Sequence, residues 1–147
     1  AAKVYAVDVG RGQLADALRR DARVDARERV NARDLDPADF DPPPALVVVD
    51  ASFIGLGKLA PALARVLAPG GELVALVKPQ FEAGRAAASR GKGVIRDEET
   101  RLAAIASGRA AIEAAGFAVL GEVDSAVHGP KGNVERFVHA RRVELTP

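Results

Sequence analysis

Apolar positions along this chain follow two periods, short β-branched runs and longer stretches with helical spacing. Lys3-Val-Tyr-Ala-Val-Asp-Val9 is the first run and ends at Gly10, as a buried strand entering a turn should. Leu14, Ala17 and Leu18 then share one helical face, so Gln13 to Arg20 predicts a short helix that exits at Asp21. Ala22-Arg-Val24 reads as a brief strand, and the carboxylate-rich stretch from Asp25 to Asp41, closed by Pro42-Pro43-Pro44, reads as loop. Ala45 to Val49 is continuously apolar and stops abruptly at Asp50, the pattern of a strand covered on both faces.

Helical spacing returns at Leu56, Leu59, Ala60, Leu63, Val66 and Leu67, and Pro69-Gly70-Gly71 ends that helix before a strand over Glu72 to Val77. Residues 79 to 96 have weak periodicity, several glycines and several cations, and predict a long mobile loop. Asp97 to Ala115 predicts an alanine-rich helix stopped by Gly116. Phe117 to Val127 and Val134 to Val143 read as an antiparallel hairpin around Gly129-Pro-Lys-Gly132. The order β-α-β-β-α-β-α-β-β predicts one α/β domain over residues 1–147, with a mostly parallel sheet and an antiparallel carboxyl-terminal hairpin.

Composition narrows this picture by exclusion. Without cysteine, disulfide frameworks and thiol nucleophiles are ruled out, and a cytoplasmic location is the default expectation. No apolar run approaches the roughly 18–20 residues that span a bilayer, and the first residues lack a signal-peptide profile. A net charge of +1 is too small to attract RNA as a whole-molecule field, so any such contact must come from local clusters. There is no methionine, and Ala1-Ala2 stands directly before a strand pattern, so the natural start is expected upstream.

Ligands of open α/β sheets bind beyond the carboxyl ends of the strands, where Asp8, Asp50 and Lys78 all fall. An aspartate before a helix equally serves as a cap, and a lysine at a strand end equally snorkels to solvent. Glu135, at the start of the last strand, equally suits a cross-strand partner for an arginine. The proposed sheet, however, sets that strand beside the one bearing Lys78, so an ammonium and two carboxylates can gather at one end. Such a group can orient a weakly acidic ribose hydroxyl and stabilise developing alkoxide, with no metal required.

Asp8 is a candidate for the ribose hydroxyls of a nucleoside cofactor, and Asn31, Arg33 and Asp34 for its adenine, with Asp50 and Ser52 completing the cofactor set. Arg85, Arg90, Lys92, Arg96 and Lys131 are candidates for RNA phosphates, with Arg136, Arg141 and Arg142 extending the patch. Phe53 and Phe81 are the chief candidates for base stacking, although either could be core.

Four blocks, Val4-Tyr-Ala-Val-Asp-Val-Gly-Arg-Gly-Gln-Leu14, Val47-Val-Val-Asp-Ala-Ser-Phe-Ile54, Leu76-Val-Lys-Pro-Gln-Phe-Glu-Ala-Gly-Arg85 and Gly129-Pro-Lys-Gly-Asn-Val-Glu135, together resemble the hemolysin A (TlyA-type) family of FtsJ-like ribosomal-RNA ribose 2'-O-methyltransferases. The resemblance implies a Rossmann-like class I methyltransferase sheet, S-adenosylmethionine as cofactor, and a cytidine ribose of ribosomal RNA, presented by ribosomal subunits, as substrate. It also implies a lysine-aspartate-lysine-glutamate tetrad, whose last three members match Asp50, Lys78 and Glu135. The first lysine, the first strand and helix with their glycine-rich cofactor loop, and an S4-like RNA-binding domain are expected to precede residue 1. The alternative is a non-catalytic interaction module or a membrane-active hemolysin, against which the lack of a membrane-seeking helix counts.

Overall fold

The computed structural model describes residues 1–144; the last three residues of the expected domain lie outside the described residues. Its elements are β1 (Val4–Val7), α1 (Asp16–Arg19), β2 (Val24–Arg27), two 3-10 turns (Ala32–Asp34 and Pro37–Asp39), β3 (Leu46–Val49), α2 (Leu56–Val66), β4 (Glu72–Val77), α3 (Pro79–Glu82), α4 (Gly84–Arg90), α5 (Glu98–Ala114), β5 (Phe117–Asp124) and β6 (Arg136–Arg142). The strands form two sheets. One is the parallel pair β1–β2, the other a four-stranded sheet in the order β3–β4–β6–β5, parallel at β3–β4 and antiparallel through β6 and β5.

The larger sheet carries the core on one face. Leu73, Ala75, Val77, Val138 and Ala140 are wholly buried there beneath α2 and α5, because alternate residues of a strand share a face and these two helices present apolar stripes to it. Helix α2 buries Leu56, Leu59, Ala60, Leu63 and Val66, as its spacing predicts. Helix α5 opens on Asp97, whose carboxylate accepts from the Thr100 amide at 2.8 Å, and carries Glu98 and Glu99 in its first turn, where the helix dipole favours negative charge.

The smaller sheet joins the rest through side chains. Tyr5 meets Phe40 edge to face at 4.9 Å between ring centroids, and the Arg27 guanidinium lies 4.7 Å from both rings. The Tyr5 hydroxyl donates to the Pro42 carbonyl at 3.0 Å and the Lys3 ammonium to that of Asp41 at 2.8 Å.

Three expectations are corrected. Residues 79–90 are not a structureless loop but two short helices, since Pro79 supplies a ready first turn and the alanines of Gly84–Arg90 favour helix. The stretch 25–41 holds the end of β2 and two 3-10 turns, each opened by a side-chain cap, Asn31 on the Arg33 amide and Asp36 on that of Ala38. Strand β3 is not covered on both faces: Leu46 and Val48 are 54% and 72% exposed, because the described helices pack only against the other face.

Candidate active site

Strand β4 ends at Val77, and Pro79 keeps Lys78 in extended backbone, so the chain turns with the lysine side chain at the carboxyl end of the sheet. The parallel register Val49↔Ala75 brings the end of β3 alongside, with Asp50 one residue beyond it. The Lys78 ammonium lies 2.7 Å from Asp50 Oδ1 and donates to Ser52 Oγ at 3.0 Å. The lysine side chain is 12% exposed but that of Asp50 is 76% exposed. A pair so open to water adds about 1 kcal/mol or less to stability, so its consequence is positional. It fixes the ammonium.

Strand β6 runs antiparallel to β4 with Val77 opposite Arg136, and one further step sets Glu135 opposite Lys78. Glu135 is buried, at 5% exposure. No ion pair joins it to Lys78 among the described residues; it accepts instead from Gln80 Nε2 at 3.0 Å. Room for the carboxylate comes from Gly129, where a Cβ would stand 2.8 Å from Glu135 Oε1. The expected cluster is therefore two separate contacts, Asp50–Lys78–Ser52 just beyond the ends of β3 and β4, and Gln80–Glu135 between α3 and the residue before β6.

Sequence reasoning missed two members of this end. Gln80 belongs to the quoted block Leu76–Arg85, and its Oε1 is buried without a hydrogen-bond partner among the described residues. Glu82, from the same block, accepts from the Leu56 amide at 2.8 Å and so caps α2, which its own first residues leave without a side-chain cap. Burial pushes the Glu82 carboxyl above the ordinary glutamate range, while the Leu56 amide pulls weakly the other way. A capping proton acceptor in α3 thereby holds the helix that follows the Asp50 loop.

The candidate cofactor residues gather at the same ends of β1 and β2. Asp8 Oδ1 accepts from the Gly10 amide at 2.7 Å, the turn-forming role open to any such aspartate, and leaves its second oxygen uncommitted. Backbone hydrogen bonds from Val30 to Asp8 (3.1 Å) and from Arg29 to Gly10 (3.1 Å) bring the segment before Asn31 against that turn. Asn31 Oδ1 caps the Arg33 amide at 3.1 Å, which leaves its amide nitrogen free to donate, and Arg33 and Asp34 are exposed.

Arg85, Arg90, Lys92, Arg96 and Lys131 are all exposed and make no ion pair among the described residues. The extension of this patch is corrected. Arg136 pairs with Asp124 at 2.7 Å and Glu122 at 3.4 Å, and Arg141 with Glu72 at 2.7 Å. Arg141 and Arg142 moreover stand at the far end of β6, opposite the start of β4, because the strand runs antiparallel. Phe53 is not core: it is 91% exposed, has a left-handed backbone (φ 63°), and contacts half-buried Phe81 at 5.2 Å between centroids. A depression of about 870 Å³ lined by Pro61, Arg65, Ala115 and Val143 contains none of the catalytic candidates.

Among the described residues no helix is long and apolar enough to cross a membrane, and no three acidic, histidine or cysteine side chains group as metal ligands.

The chain is similar to known proteins along nearly its whole length. The family model described as FtsJ-like methyltransferase matches residues 1–142. The 16S/23S rRNA (cytidine-2'-O)-methyltransferase TlyA of Mycobacterium tuberculosis is 42% identical over 141 residues, 96% of this chain and 52% of that protein. Hemolysin A of Brachyspira hyodysenteriae is 41% identical over 140 residues, 95% of this chain and 58% of that protein. The solved structure of a candidate hemolysin from Streptococcus thermophilus superposes with a TM-score of 0.93 at 41% identity, over 98% of this chain and 52% of that one. The chain thus spans about half the length of the relatives it matches. With the Rossmann-like arrangement of its strands and a match along nearly its whole length, the chain belongs to the FtsJ-like methyltransferase family.

Proposed function

We propose that this chain carries most of the catalytic domain of an S-adenosylmethionine-dependent enzyme that methylates the 2'-hydroxyl of a cytidine in ribosomal RNA. The observation that carries the reading is the Lys78 ammonium held between Asp50 and Ser52 at a strand end, one strand from buried Glu135. An ammonium has three donors, and two are committed there. The third is left for a substrate oxygen. Aimed at a ribose hydroxyl, it would orient the nucleophile and stabilise the alkoxide character that develops as the proton leaves, before the oxygen takes the methyl group and the sulfur–carbon bond of the cofactor breaks. The second Asp50 oxygen, open to water, is the acceptor for the proton that leaves.

S-adenosylmethionine supplies an electrophilic methyl group when bound. Asp8 has one free carboxylate oxygen for vicinal hydroxyls, and Asn31, Arg33 and Asp34 offer donors and acceptors beside it for an adenine, with Asp50 and Ser52 nearer the transferred group. The edges of β1 and β3 that are unpaired among the described residues suit one more parallel strand between the two sheets, and the bare Leu46 and Val48 side chains suit a further helix over that face. A strand and glycine-rich turn from upstream, together with the first lysine of the tetrad and an S4-like RNA-binding domain, belong to the same proposal.

On the substrate side, Arg85, Arg90, Lys92, Arg96 and Lys131 form the phosphate-gripping surface, and Phe53 is the stacking platform. A fully exposed aromatic in a left-handed turn, three residues from Asp50, is costly to keep and is the type of side chain on which an unstacked base rests. The partner is the ribosomal subunit that displays the nucleotide, in the cytoplasm. The test is methyl transfer from labelled cofactor to ribosomal RNA by the intact protein, alongside calorimetric titration of the cofactor. Lys78→Ala should lower turnover by about 10²–10⁴-fold while leaving thermal stability and cofactor affinity nearly unchanged. Normal turnover in that variant would falsify the assignment.

A further inference from the structure

We infer that Asn133 is a positioning residue that holds the basic loop 90–96 in register with Glu135, so that RNA gripped by the loop delivers its ribose to the catalytic end. The inference rests on the reading of the site proposed above and adds to it a coupling between substrate grip and chemistry.

Asn133 is 3% exposed, although it sits in the turn between β5 and β6. Its side chain spends both of its functions on the loop: Oδ1 accepts from the Ile95 amide at 2.9 Å and Nδ2 donates to the Gly93 carbonyl at 2.8 Å. Its own carbonyl accepts from the Gly129 amide at 2.9 Å, which fixes the residue within the turn that leads, two positions later, to Glu135. One buried amide therefore ties the loop to the segment that bears the carboxylate. A second, exposed contact runs parallel to it, from Lys131 Nζ to the Lys92 carbonyl at 3.5 Å.

The loop has a shape that needs holding. Lys92 and Gly93 are successive left-handed residues, with φ of 53° and 87°. A Cβ at Gly91 would fall 1.8 Å from the Val94 carbonyl oxygen, so the turn closes on itself there. The left-handed turn is closed on α4 by its own backbone bonds, from the Lys92 amide to the Ser89 carbonyl at 3.2 Å and from the Gly93 amide to the Ala88 carbonyl at 2.7 Å, and the Asn133 amide and the burial of Ile95, at 8% exposure, are what anchor the turned loop to the rest of the chain. The cations flank those points: Arg90, Lys92 and Arg96 line a groove of about 400 Å³. Asparagine suits the task because its planar amide offers a donor and an acceptor together, whereas aspartate lacks the donor and alanine both.

The test compares the intact protein with Asn133→Ala, and with Gly91→Ala, which opens the same loop from its own side and leaves Asn133 and the Glu135 turn in place. Both variants should lower kcat for ribosomal RNA roughly ten- to a hundredfold, as a misplaced substrate does, and raise KM as the grip loosens, with cofactor affinity unchanged. Both should also lose hydrogen-exchange protection at the Ile95 amide. Removing the loop cations together (Arg90→Ala, Lys92→Ala, Arg96→Ala) should raise KM as well, and adding Asn133→Ala to that triple variant should add little, since the two act on one contact. Equal loss of cofactor affinity, full additivity with the triple variant, or unaltered RNA kcat or KM in both single variants overturns the inference. Should the unmodified protein transfer no methyl group, the reading of the site falls by itself. The latch is then judged on RNA affinity from filter binding and on Ile95 exchange, with unchanged values in both variants counting against it.

Discussion

The four-stranded sheet and the two-stranded sheet of this chain are built by different means. In the first, five residues of β4 and β6 have no exposed surface, and α2 and α5 close over them. In the second, no residue of β1 or β2 is fully buried, and attachment depends on Tyr5, Arg27 and Phe40 with a few side-chain to backbone hydrogen bonds. The difference divides the labour of the site. Lys78 and Glu135 stand at the ends of interior strands of the larger sheet and Asp50 at the end of its edge strand β3, whereas Asp8, Asn31, Arg33 and Asp34 stand beside the smaller sheet, whose strands only border the core. Catalytic geometry and cofactor grip are thus expected to fail separately.

The largest effect should come from the core. Leu73→Ala removes a wholly buried core side chain of β4 and should cost about 2–5 kcal/mol in denaturant unfolding, and Tyr5→Ala, in the smaller sheet, markedly less. Equal losses would mean that the smaller sheet contributes as much to the common core as the larger one. Next in size is a contrast of affinities. Phe53→Ala should weaken RNA binding by about 1–3 kcal/mol, the worth of a base–aromatic stack, with cofactor titration unaltered, and Asp8→Ala should do the reverse. If either variant impaired both ligands alike, the division between the sheets would not stand.

The smallest effect is a slope. Glu82 is raised by burial, so its protonated form favours the fold: the contribution is complete below the unfolded glutamate value and is lost as pH rises through the higher folded one. Glu82→Gln keeps an oxygen for the Leu56 amide and removes the titration, so its stability relative to the unmodified protein should improve across that rise. Chemical denaturation at several pH values measures this, and parallel curves would show that Glu82 does not titrate as its burial implies.

Much of this arrangement was legible in the chain. The abrupt ends of Val47-Val-Val at Asp50 and of Leu76-Val at Lys78 marked the end of the sheet where the Lys78–Asp50 pair forms, since a strand that stops on a charge at a turn has few other places to put it. The four blocks together marked the family. Less legible was the stretch 79–96, where short helices are too brief to show a period and Pro79 reads equally as a loop residue or a helix opener. The arginines of β6 looked alike in sequence; their pairing with Asp124 and Glu72 depends on strand register across distant segments.

By itself, then, the sequence determined the order of elements, the charges at the strand ends and the membership of the family, because periodicity and local motifs are written in neighbouring residues. Only the tertiary structure decided that Glu135 is held by Gln80 rather than by Lys78, that Phe53 is exposed beside Phe81, and that Asn133 fastens the basic loop. Those outcomes hang on contacts between residues 38 to 55 positions apart and on burial at 5% or less against 91%, quantities that no local pattern encodes.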